Sequence, residues 1–265
     1  MEISSTKSVS KCEASGAEAE SLFERFHWLY AFCRERLFRD DTEQITTGLW
    51  PDALPDAGAR LLEIGCGPGF YSCRIATQFK ELNVTGIDRA LSQLGRARER
   101  AKARRLDNCH FEQADALALT WPDGQFDAVV ASRLFTILPE RERALAEMHR
   151  VLRAGGRCFI AEPRSMLRAA VPLHAMWLLA RLLGFCRETP GSYREPRAIA
   201  ILSRSEFRAL IATHQWRNVR HWHDTWYQYA VCEKGEANEA FHSNTQTAPA
   251  DASPNLSNPV RQQDE

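Results

Sequence analysis

The chain has 265 residues, of which 44% are hydrophobic, and 34 basic residues balance 34 acidic ones to give a formal net charge of zero. This length and apolar content suffice for one sizeable core, so a single domain with additions is the expected organisation. Zero net charge provides no overall field that would favour nucleic acid, and no stretch is long and apolar enough to span a membrane.

The eight cysteines form no C-x-x-C pair and no metal-ligand spacing, and no signal peptide opens the chain. This pattern predicts a reduced, cytoplasmic protein with mostly buried thiols and no metal site.

The two ends are poor in core-forming residues. Residues 1–20 are rich in Ser, Glu, Ala and Lys, while residues 235–265 are polar, contain prolines and have almost no branched apolar side chains. We predict that both are disordered, which leaves 21–234 as the folded domain.

Strands and helices alternate along the predicted folded region. Apolar residues at helical spacing predict an amphipathic first helix, and short apolar runs predict strands. In chain order, the predicted elements are helix 21–38, strand 59–67, helix 70–80, strand 83–88, helix 91–106, strands 109–115 and 126–132, helix 139–156, strand 157–163, helix 203–216, and strands 219–223 and 226–234. The helix at 203 begins with a capping box of Ser203 and Glu206.

This alternation is typical of βαβ units and a parallel sheet. The last two strands are separated by the dipeptide Asp224–Thr225, and strands joined by so short a link must pair antiparallel. The sequence therefore predicts an α/β fold with five βα units followed by a hairpin.

The run LLEIGCGPGF, residues 61–70, places three glycines and a proline directly after a predicted strand. Glycine allows sharp turns and close approach of a ligand, and a loop that leads into a helix can hold a polar ligand on backbone N–H groups. Within this run, Glu63 stands two residues before the first glycine. An acid there can meet a cationic ligand, but it would repel a pyrophosphate.

Two further acids stand at predicted strand ends. Asp88 ends the second strand, where a carboxylate can accept both hydroxyls of a ribose. Asp115, followed by Ala116, ends the third strand, where a carboxylate can accept the amino hydrogens of an adenine. With Glu63, these acids describe a ligand with a ribose, an adenine and a positively charged end without phosphate.

With these motifs, the sequence resembles the class I S-adenosylmethionine-dependent methyltransferases, and most closely their broad small-molecule subgroup. The stretches FDAVVASRLFTIL and EMHRVLRAGGRCFIAEP match that subgroup's fourth and fifth strands. The resemblance is strong over 60–165 and holds in outline over 200–233; where the family usually has a proline before the paired glycines, this chain has Ala154. It implies a Rossmann-like, doubly wound, three-layer αβα fold with a mostly parallel seven-stranded sheet whose last strand is antiparallel.

Carried over by position, the resemblance implies S-adenosylmethionine as the cofactor and ten residues that bind it. The implied contacts are Glu63, Gly65, Gly67 and Gly69 with the methionine part, Asp88 with the ribose, Arg89, Asp115 and Ala116 with the adenine, and Ser132 and Arg133 with the methionine side and the substrate mouth.

The connection at 163–200 is longer than a βα unit needs, and its apolar stretch 166–185 is too polar for a bilayer span. It can be a lid over an apolar substrate, a peripheral membrane contact or a dimer face, so the oligomeric state stays open. We favour the lid, because this connection leaves the carboxyl ends of the strands, where open α/β sheets bind ligands. Helix 21–38 would form the other wall.

Methyl transfer from a sulfonium is an in-line displacement, and a hydroxyl acceptor also needs a base. The predicted catalytic candidates are His174 in the lid, Tyr30 in the first helix and Glu162 at the end of the fifth strand. His221, His223 and Tyr193 are further options.

The expected activity is methylation, most readily on O or C, of a small and fairly apolar acceptor that is quinone-, lipid- or secondary-metabolite-like. The alternative is a non-catalytic cofactor-binding partner or a membrane-associated scaffold subunit. A dinucleotide oxidoreductase is disfavoured, because the loop is G-x-G-x-G rather than G-x-G-x-x-G.

Overall fold

The structure is a computed structural model that describes residues 40–164, 201–236 and 245–247. The predicted helix 21–38, residues 165–200 of the predicted insertion and most of the two predicted tails lie outside the described residues. The domain boundaries and the disorder of the tails therefore stay predictions.

The described chain alternates strands and helices, as the periodicity predicts. Its helices are α1 (Thr42–Leu49), α2 (Phe70–Gln78), α3 (Leu91–Ala103), α4 (Arg141–Val151) and α5 (Arg204–Ile211). Its strands are β1 (Arg60–Ile64), β2 (Asn83–Asp88), β3 (Cys109–Gln113), β4 (Phe126–Ser132), β5 (Leu152–Pro163), β6 (Asn218–His223), β7 (Tyr227–Glu233) and β8 (Thr245–Thr247).

All the described strands form one sheet in the order β3-β2-β1-β4-β5-β7-β6-β8. Strands β1 to β5 are mutually parallel where they pair, and β7 pairs antiparallel with both β5 and β6. The predicted seven-stranded, mostly parallel sheet with an antiparallel last strand is confirmed. Strand β8 adds three residues parallel to β6, within the segment for which the sequence predicts disorder.

The sheet separates two apolar cores, and adjacent residues of β1 show how. Leu61 packs with residues of α1, α2 and α3, whereas Leu62 and Ile64 pack with residues of α4 and α5. Successive side chains of a strand point to opposite faces, so a continuous apolar run supplies both cores. The result is the predicted three-layer αβα arrangement.

The fourth helix ends earlier than predicted. We expected it to continue to Gly156, but α4 ends at Val151 and the chain enters β5 directly at Leu152. The ammonium group of Lys234 donates to the carbonyl oxygens of His149 and Leu152, at 2.7 Å each. A lysine from the far end of the domain thus satisfies carbonyls that a local cap would otherwise serve.

Candidate active site

The carboxyl ends of β1 to β5 meet at one edge of the sheet, which we call the carboxyl edge. Parallel strands bring the residues that follow them to the same edge, and open α/β sheets bind ligands there. The cofactor-binding residues predicted from the sequence all lie at this edge, in the loops or last positions of β1, β2, β3 and β4.

The glycine loop, residues 65–69, turns from β1 into α2 through left-handed backbone. Gly65, Gly67 and Gly69 have φ values of +72°, +51° and +70°, a region in which a side chain is strained. Gly65 is exposed, and the nearest atom that a Cβ there would meet is Cδ1 of Leu134, at 3.2 Å. The backbone at Gly65 is therefore open to a ligand.

Gly69 serves a different purpose. A Cβ at this position would lie 2.8 Å from both Cβ of Ala97 and Cζ of Phe111, closer than real Cβ contacts allow. Gly86 in β2 is similar, since its Cβ would lie 2.7 Å from Cε1 of Phe111. These glycines let the start of α2 and strand β2 pack against α3 and β3.

Glu63 lies beneath the glycine loop and is 3% exposed. Its Oε2 accepts a hydrogen bond of 2.8 Å from the backbone N–H of Ser72 and a second one from the Ser72 hydroxyl. A carboxylate at a helix N-terminus is favoured by the helix dipole, so Glu63 holds the first turn of α2 against β1.

Asp88 connects three elements of the site. Its Oδ2 accepts from the N–H of Gly67 and its Oδ1 from the N–H of Ala90, both at 2.9 Å. The end of β2, the glycine loop and the start of α3 therefore meet at one half-buried carboxylate. The structure brings Asp88 and the glycine loop together, as the sequence predicts.

The residues after β3 continue this site along the sheet. The N–H of Ala114 donates to the carbonyl of Asp88 at 3.4 Å, and Oδ1 of Asp115 accepts from the N–H of Leu117 at 3.0 Å. Ala116 is 7% exposed and belongs to the core on the α4 side, whereas Arg89 is exposed.

At the end of β4, Ser132 and Arg133 have unusual environments. The hydroxyl oxygen of Ser132 is buried and has no hydrogen-bond partner within the described part of the chain. Arg133 has a φ of +58°, although it is not a glycine, and its N–H donates to the carbonyl of Ala161 at 2.8 Å. Strained residues of this kind cluster at functional sites, which supports a functional role for this strand end.

Glu162 is fully buried at the end of β5. Its Oε1 accepts from the N–H of Phe135 at 2.8 Å and its Oε2 from the N–H of Thr136 at 3.2 Å. Burial raises the pKa of this carboxyl to about 7, against the opposing effect of these hydrogen bonds and of the Arg133 charge. The carboxyl group thus faces the backbone of the loop after β4 rather than solvent.

The other candidate bases lie only partly within the described residues. His174, Tyr30 and Tyr193 lie outside the described residues. His221 packs against Phe207 of α5, with ring centroids 6.0 Å apart, and burial lowers its pKa to about 4. Nδ1 of His223 lies 3.1 Å from Nη1 of Arg164.

Sequence reasoning missed a buried polar network beside the glycine loop. Asp41, which is 2% exposed, accepts from the hydroxyl of Tyr71 at 3.2 Å and from that of Tyr229 at 3.1 Å. The Tyr229 hydroxyl also lies 2.9 Å from Oδ2 of Asp224. The network joins the first turn of α2 to β7, and its two tyrosines look like ordinary apolar core positions in the sequence.

Cys66, inside the glycine loop, is 4% exposed. Burial and the charges of Glu63 and Asp88 raise the pKa of its thiol well above the usual range. A thiol that stays protonated is a poor nucleophile, so Cys66 has the character of a structural residue.

These residues fit a cofactor with a ribose and a cationic end. The backbone at Gly65 is open, the buried Ser132 hydroxyl lacks a partner among described atoms, and acids lie at the ends of β1 and β2. Within 40–164 and 201–236, no three His, Cys, Asp or Glu side chains are grouped to hold a metal ion.

A family model described as a methyltransferase domain matches residues 55–225, which is more than half of the chain. The chain therefore belongs to this methyltransferase family. The predicted membership of the class I S-adenosylmethionine-dependent methyltransferases is confirmed, and at the level of the family so is S-adenosylmethionine as the cofactor.

Two curated relatives illustrate the similarity. The chain is 35% identical over 146 residues to demethylmenaquinone methyltransferase of Thermus thermophilus, covering 54% of this chain and 66% of that enzyme. It is 43% identical over 107 residues to 27-O-demethylrifamycin SV methyltransferase of Amycolatopsis mediterranei, covering 40% of this chain and 39% of that one. The chain thus spans less than two thirds of the length of either relative.

The fold also matches a solved structure of geranyl diphosphate C-methyltransferase from Streptomyces coelicolor. The TM-score is 0.53 at 16% identity, over 73% of this chain and 76% of that one, so the likeness is one of fold. Among the described helices, none has the length and apolarity needed to cross a bilayer.

Proposed function

We propose that this protein transfers the methyl group of S-adenosylmethionine to a small, fairly apolar acceptor by in-line displacement. The observation that carries the proposal is the bond from the Gly67 N–H to Asp88, because it joins the glycine loop and the ribose-type acid in one site. The names of the two curated relatives support the acceptor class, since one refers to demethylmenaquinone and the other to 27-O-demethylrifamycin SV.

The binding roles follow the edge from β1 to β4. Gly65 and Gly67 offer exposed or half-buried backbone to the methionine part, and Glu63, which holds the loop from below, is our proposed contact for the cofactor's amino group. Asp88 faces the ribose while it fixes the loop. The remaining proposed contacts are Gly69 at the start of α2, Arg89, Asp115 and Ala116 beside the adenine, and Ser132 and Arg133 at the methionine side and the substrate mouth.

Bound S-adenosylmethionine supplies a methyl group that the adjacent sulfonium already activates. The protein must align the acceptor with that methyl and exclude water, and it must take a proton from an acceptor that carries one. His174 and Tyr30 remain our candidates for the proton acceptor. Glu162 needs movement of the loop after β4 to reach a substrate, because its carboxylate is fully buried against that loop.

Three large apolar side chains are exposed at the carboxyl edge of the sheet. Leu91 begins α3, Ile137 lies in the loop after β4 and Trp226 lies in the β6–β7 turn; they are 60%, 67% and 48% exposed. We propose that they contact an apolar acceptor of the kind that the names of the curated relatives indicate. We place the lid at 163–200 and the wall formed by 21–38 over this edge, with 166–185 as a further candidate for peripheral membrane contact.

A cytoplasmic location accompanies this proposal. Five cysteines of the described chain are free and buried, which suits a reducing compartment: Cys66, Cys73, Cys109, Cys158 and Cys232.

Titration calorimetry with S-adenosylhomocysteine, S-adenosylmethionine and NADH tests the cofactor. We expect binding of the two sulfur compounds and none of NADH. Methyl transfer is then measured with methyl-labelled S-adenosylmethionine and a demethylmenaquinone analogue, a phospholipid dispersion and a hydroxylated polyketide as acceptors. Binding of cofactor without labelled product from any apolar acceptor favours the non-catalytic alternative, and binding of NADH alone overturns the proposal.

A further inference from the structure

The contacts of Glu162 indicate how the acceptor side of the site is held in place. This inference rests on the proposed function. Residues 132–137, which we call the β4 loop, leave the sheet at its carboxyl edge. The loop carries Ser132 and Arg133 at its start and the exposed Ile137 at its end.

The β4 loop is held from below by backbone contacts that converge on the end of β5. The carboxyl group of Glu162 accepts both the Phe135 and the Thr136 N–H, and the carbonyl of Ala161 accepts the Arg133 N–H. Two N–H groups on one buried carboxylate are strong, charge-assisted bonds, and leaving either donor unpaired in the interior is costly. Arg133 can therefore keep its left-handed conformation, because the residues on both sides of it are fixed.

The β4 loop also contacts the glycine loop. Leu134 is 5% exposed, and its Cδ1 is the atom that a Cβ on Gly65 would meet, at 3.2 Å. A shift of Phe135 and Thr136 would move Leu134, which stands directly before them. The contact thus runs from Glu162 through the β4 loop to the open backbone at Gly65.

Two arginines of the described residues act on Glu162 or on the loop that it holds. Arg133 of the β4 loop attracts its carboxylate, and Arg141 at the start of α4 donates through Nε to the carbonyl of Phe135 at 2.7 Å. Strand β7 places the neutral Gln228 opposite Glu162, and that amide donates to the carbonyl of Leu202 at 2.8 Å. The protonation state of Glu162 itself therefore decides how well the two N–H groups are accepted.

We propose that Glu162 is a positioning residue that fixes the β4 loop, and through Leu134 the glycine loop, in the arrangement required for cofactor binding and methyl transfer. In the carboxylate form both oxygens accept an N–H group. Opening of the loop exposes this carboxyl group, whose pKa is about 7 when it is buried, so opening becomes more favourable as the pH rises and the proton leaves.

Amide hydrogen exchange of Phe135 and Thr136, followed by NMR, tests the proposal directly. After correction for the intrinsic rate, exchange in the natural protein should be at least about tenfold faster at pH 8 than at pH 5.5, because opening that exposes Glu162 releases a proton. In Glu162→Gln, whose amide has a single acceptor oxygen, exchange should be fast at both pH values, while Val129 in the middle of β4 keeps its protection in both proteins. Equal protection of Phe135 and Thr136 at the two pH values in the natural protein would overturn the proposal, and this measurement needs no variant to fold.

The affinity for S-adenosylhomocysteine distinguishes a residue that positions the site from one that only stabilises the fold. The affinity of the natural protein should fall several-fold from pH 5.5 to pH 8, whereas that of Glu162→Gln should be weak and nearly independent of pH. The control is Asp127→Asn, which removes a carboxylate that accepts the Arg60 N–H at 2.7 Å at the opposite end of β4. It should keep both the affinity and its pH dependence.

The two proposals fail in different ways. If the natural protein binds no S-adenosylhomocysteine, the proposed function is wrong. The exchange experiment then still tests whether Glu162 holds the β4 loop. If the natural protein binds S-adenosylhomocysteine with the same pH dependence as Glu162→Gln, the positioning role is wrong and the proposed function is unaffected.

Discussion

The carboxyl edge of the sheet has two halves that are constructed differently. On the β1–β3 half, polar side chains accept N–H groups of the glycine loop and the helix starts, as Asp88 does with Gly67 and Ala90. On the β4–β7 half, the acid at the strand end is fully buried, and the exposed side chains include the large apolar Ile137 and Trp226. The β1–β3 half, where we propose that the cofactor binds, keeps a half-buried acid and the exposed backbone of Gly65 at its surface, whereas the β4–β7 half, where we propose that the acceptor binds, encloses its acid completely. We refer to them as the cofactor half and the acceptor half.

The largest expected effect concerns the two uses of glycine on the cofactor half. Gly69→Ala should lower the free energy of unfolding by about 3 kcal/mol, because the new Cβ overlaps Ala97 and Phe111 and the residue keeps a positive φ. Unfolding in urea measures this loss of stability. Gly95→Ala is the control, since a Cβ on this α3 residue meets nothing within 4 Å and should stabilise the helix by about 0.5–1 kcal/mol.

Gly65→Ala tests the same difference between a glycine that is open to a ligand and one that is needed for packing. It should cost less stability than Gly69→Ala, since its Cβ meets Leu134 alone, but it should weaken binding of S-adenosylhomocysteine more for each kcal/mol of stability lost. If Gly69→Ala proved the milder of the two in urea, the division of roles between these glycines would be wrong.

The second effect belongs to the acceptor half. The pKa of Glu162 is about 7 in the folded chain and 4.5 ordinarily, so the folded chain binds more protons between these pH values and stability falls as pH rises. The difference corresponds to about 3 kcal/mol, present below pH 4.5 and lost by about pH 7.

Urea unfolding at several pH values measures this slope. Glu162→Gln carries no titrating group, so its stability should change less between pH 5 and pH 7 than that of the natural protein. Parallel stability curves for the two proteins would show that Glu162 does not titrate in this range. Loosening of the β4 loop as the pH rises follows the same slope, because opening of the loop and unfolding of the chain both expose the buried carboxyl group.

The third effect tests the carboxylate that unites the cofactor half. Asp88→Asn keeps the shape but leaves one of two backbone N–H groups without an acceptor, and should weaken S-adenosylhomocysteine binding about 30-fold, or about 2 kcal/mol. Calorimetry measures the affinity and circular dichroism checks the fold. Asp127→Asn is matched, since it loses a comparable bond at the far end of the sheet and should bind normally. If S-adenosylhomocysteine binding were weakened equally in the two variants, Asp88 would not be part of the cofactor site.

The smallest effect concerns Ser132, at the boundary between the halves. Ser132→Ala removes a buried hydroxyl that has no partner among the described atoms, so the free energy of unfolding should change by less than about 0.5 kcal/mol. Affinity for S-adenosylhomocysteine should drop about fivefold, which corresponds to about 1 kcal/mol and to one hydrogen bond with the ligand. A variant that unfolds more easily but binds equally well would show that the hydroxyl serves the fold.

The sequence predicts more of the structure of the cofactor half than of the acceptor half. The E-x-G-x-G-x-G run and the position of Asp88 predict the glycine loop and its acid, because each follows a strand by a short, local rule. Glu162 was placed correctly at a strand end, but its burial depends on Phe135 and Thr136, 27 and 26 residues earlier. The Asp41 network was missed because its tyrosines come from 30 and 188 residues away.

Hydrophobic period and position at a strand end are local properties of the chain, and they sufficed to predict the order of β1 to β7, the helices between them and the polar residues at the carboxyl edge. The tertiary structure alone decided which way each carboxylate faces and which glycine is open to a ligand. Those outcomes depend on backbone donors and side chains brought together from distant parts of the chain, such as Gly67 beside Asp88 and Phe111 against Gly69.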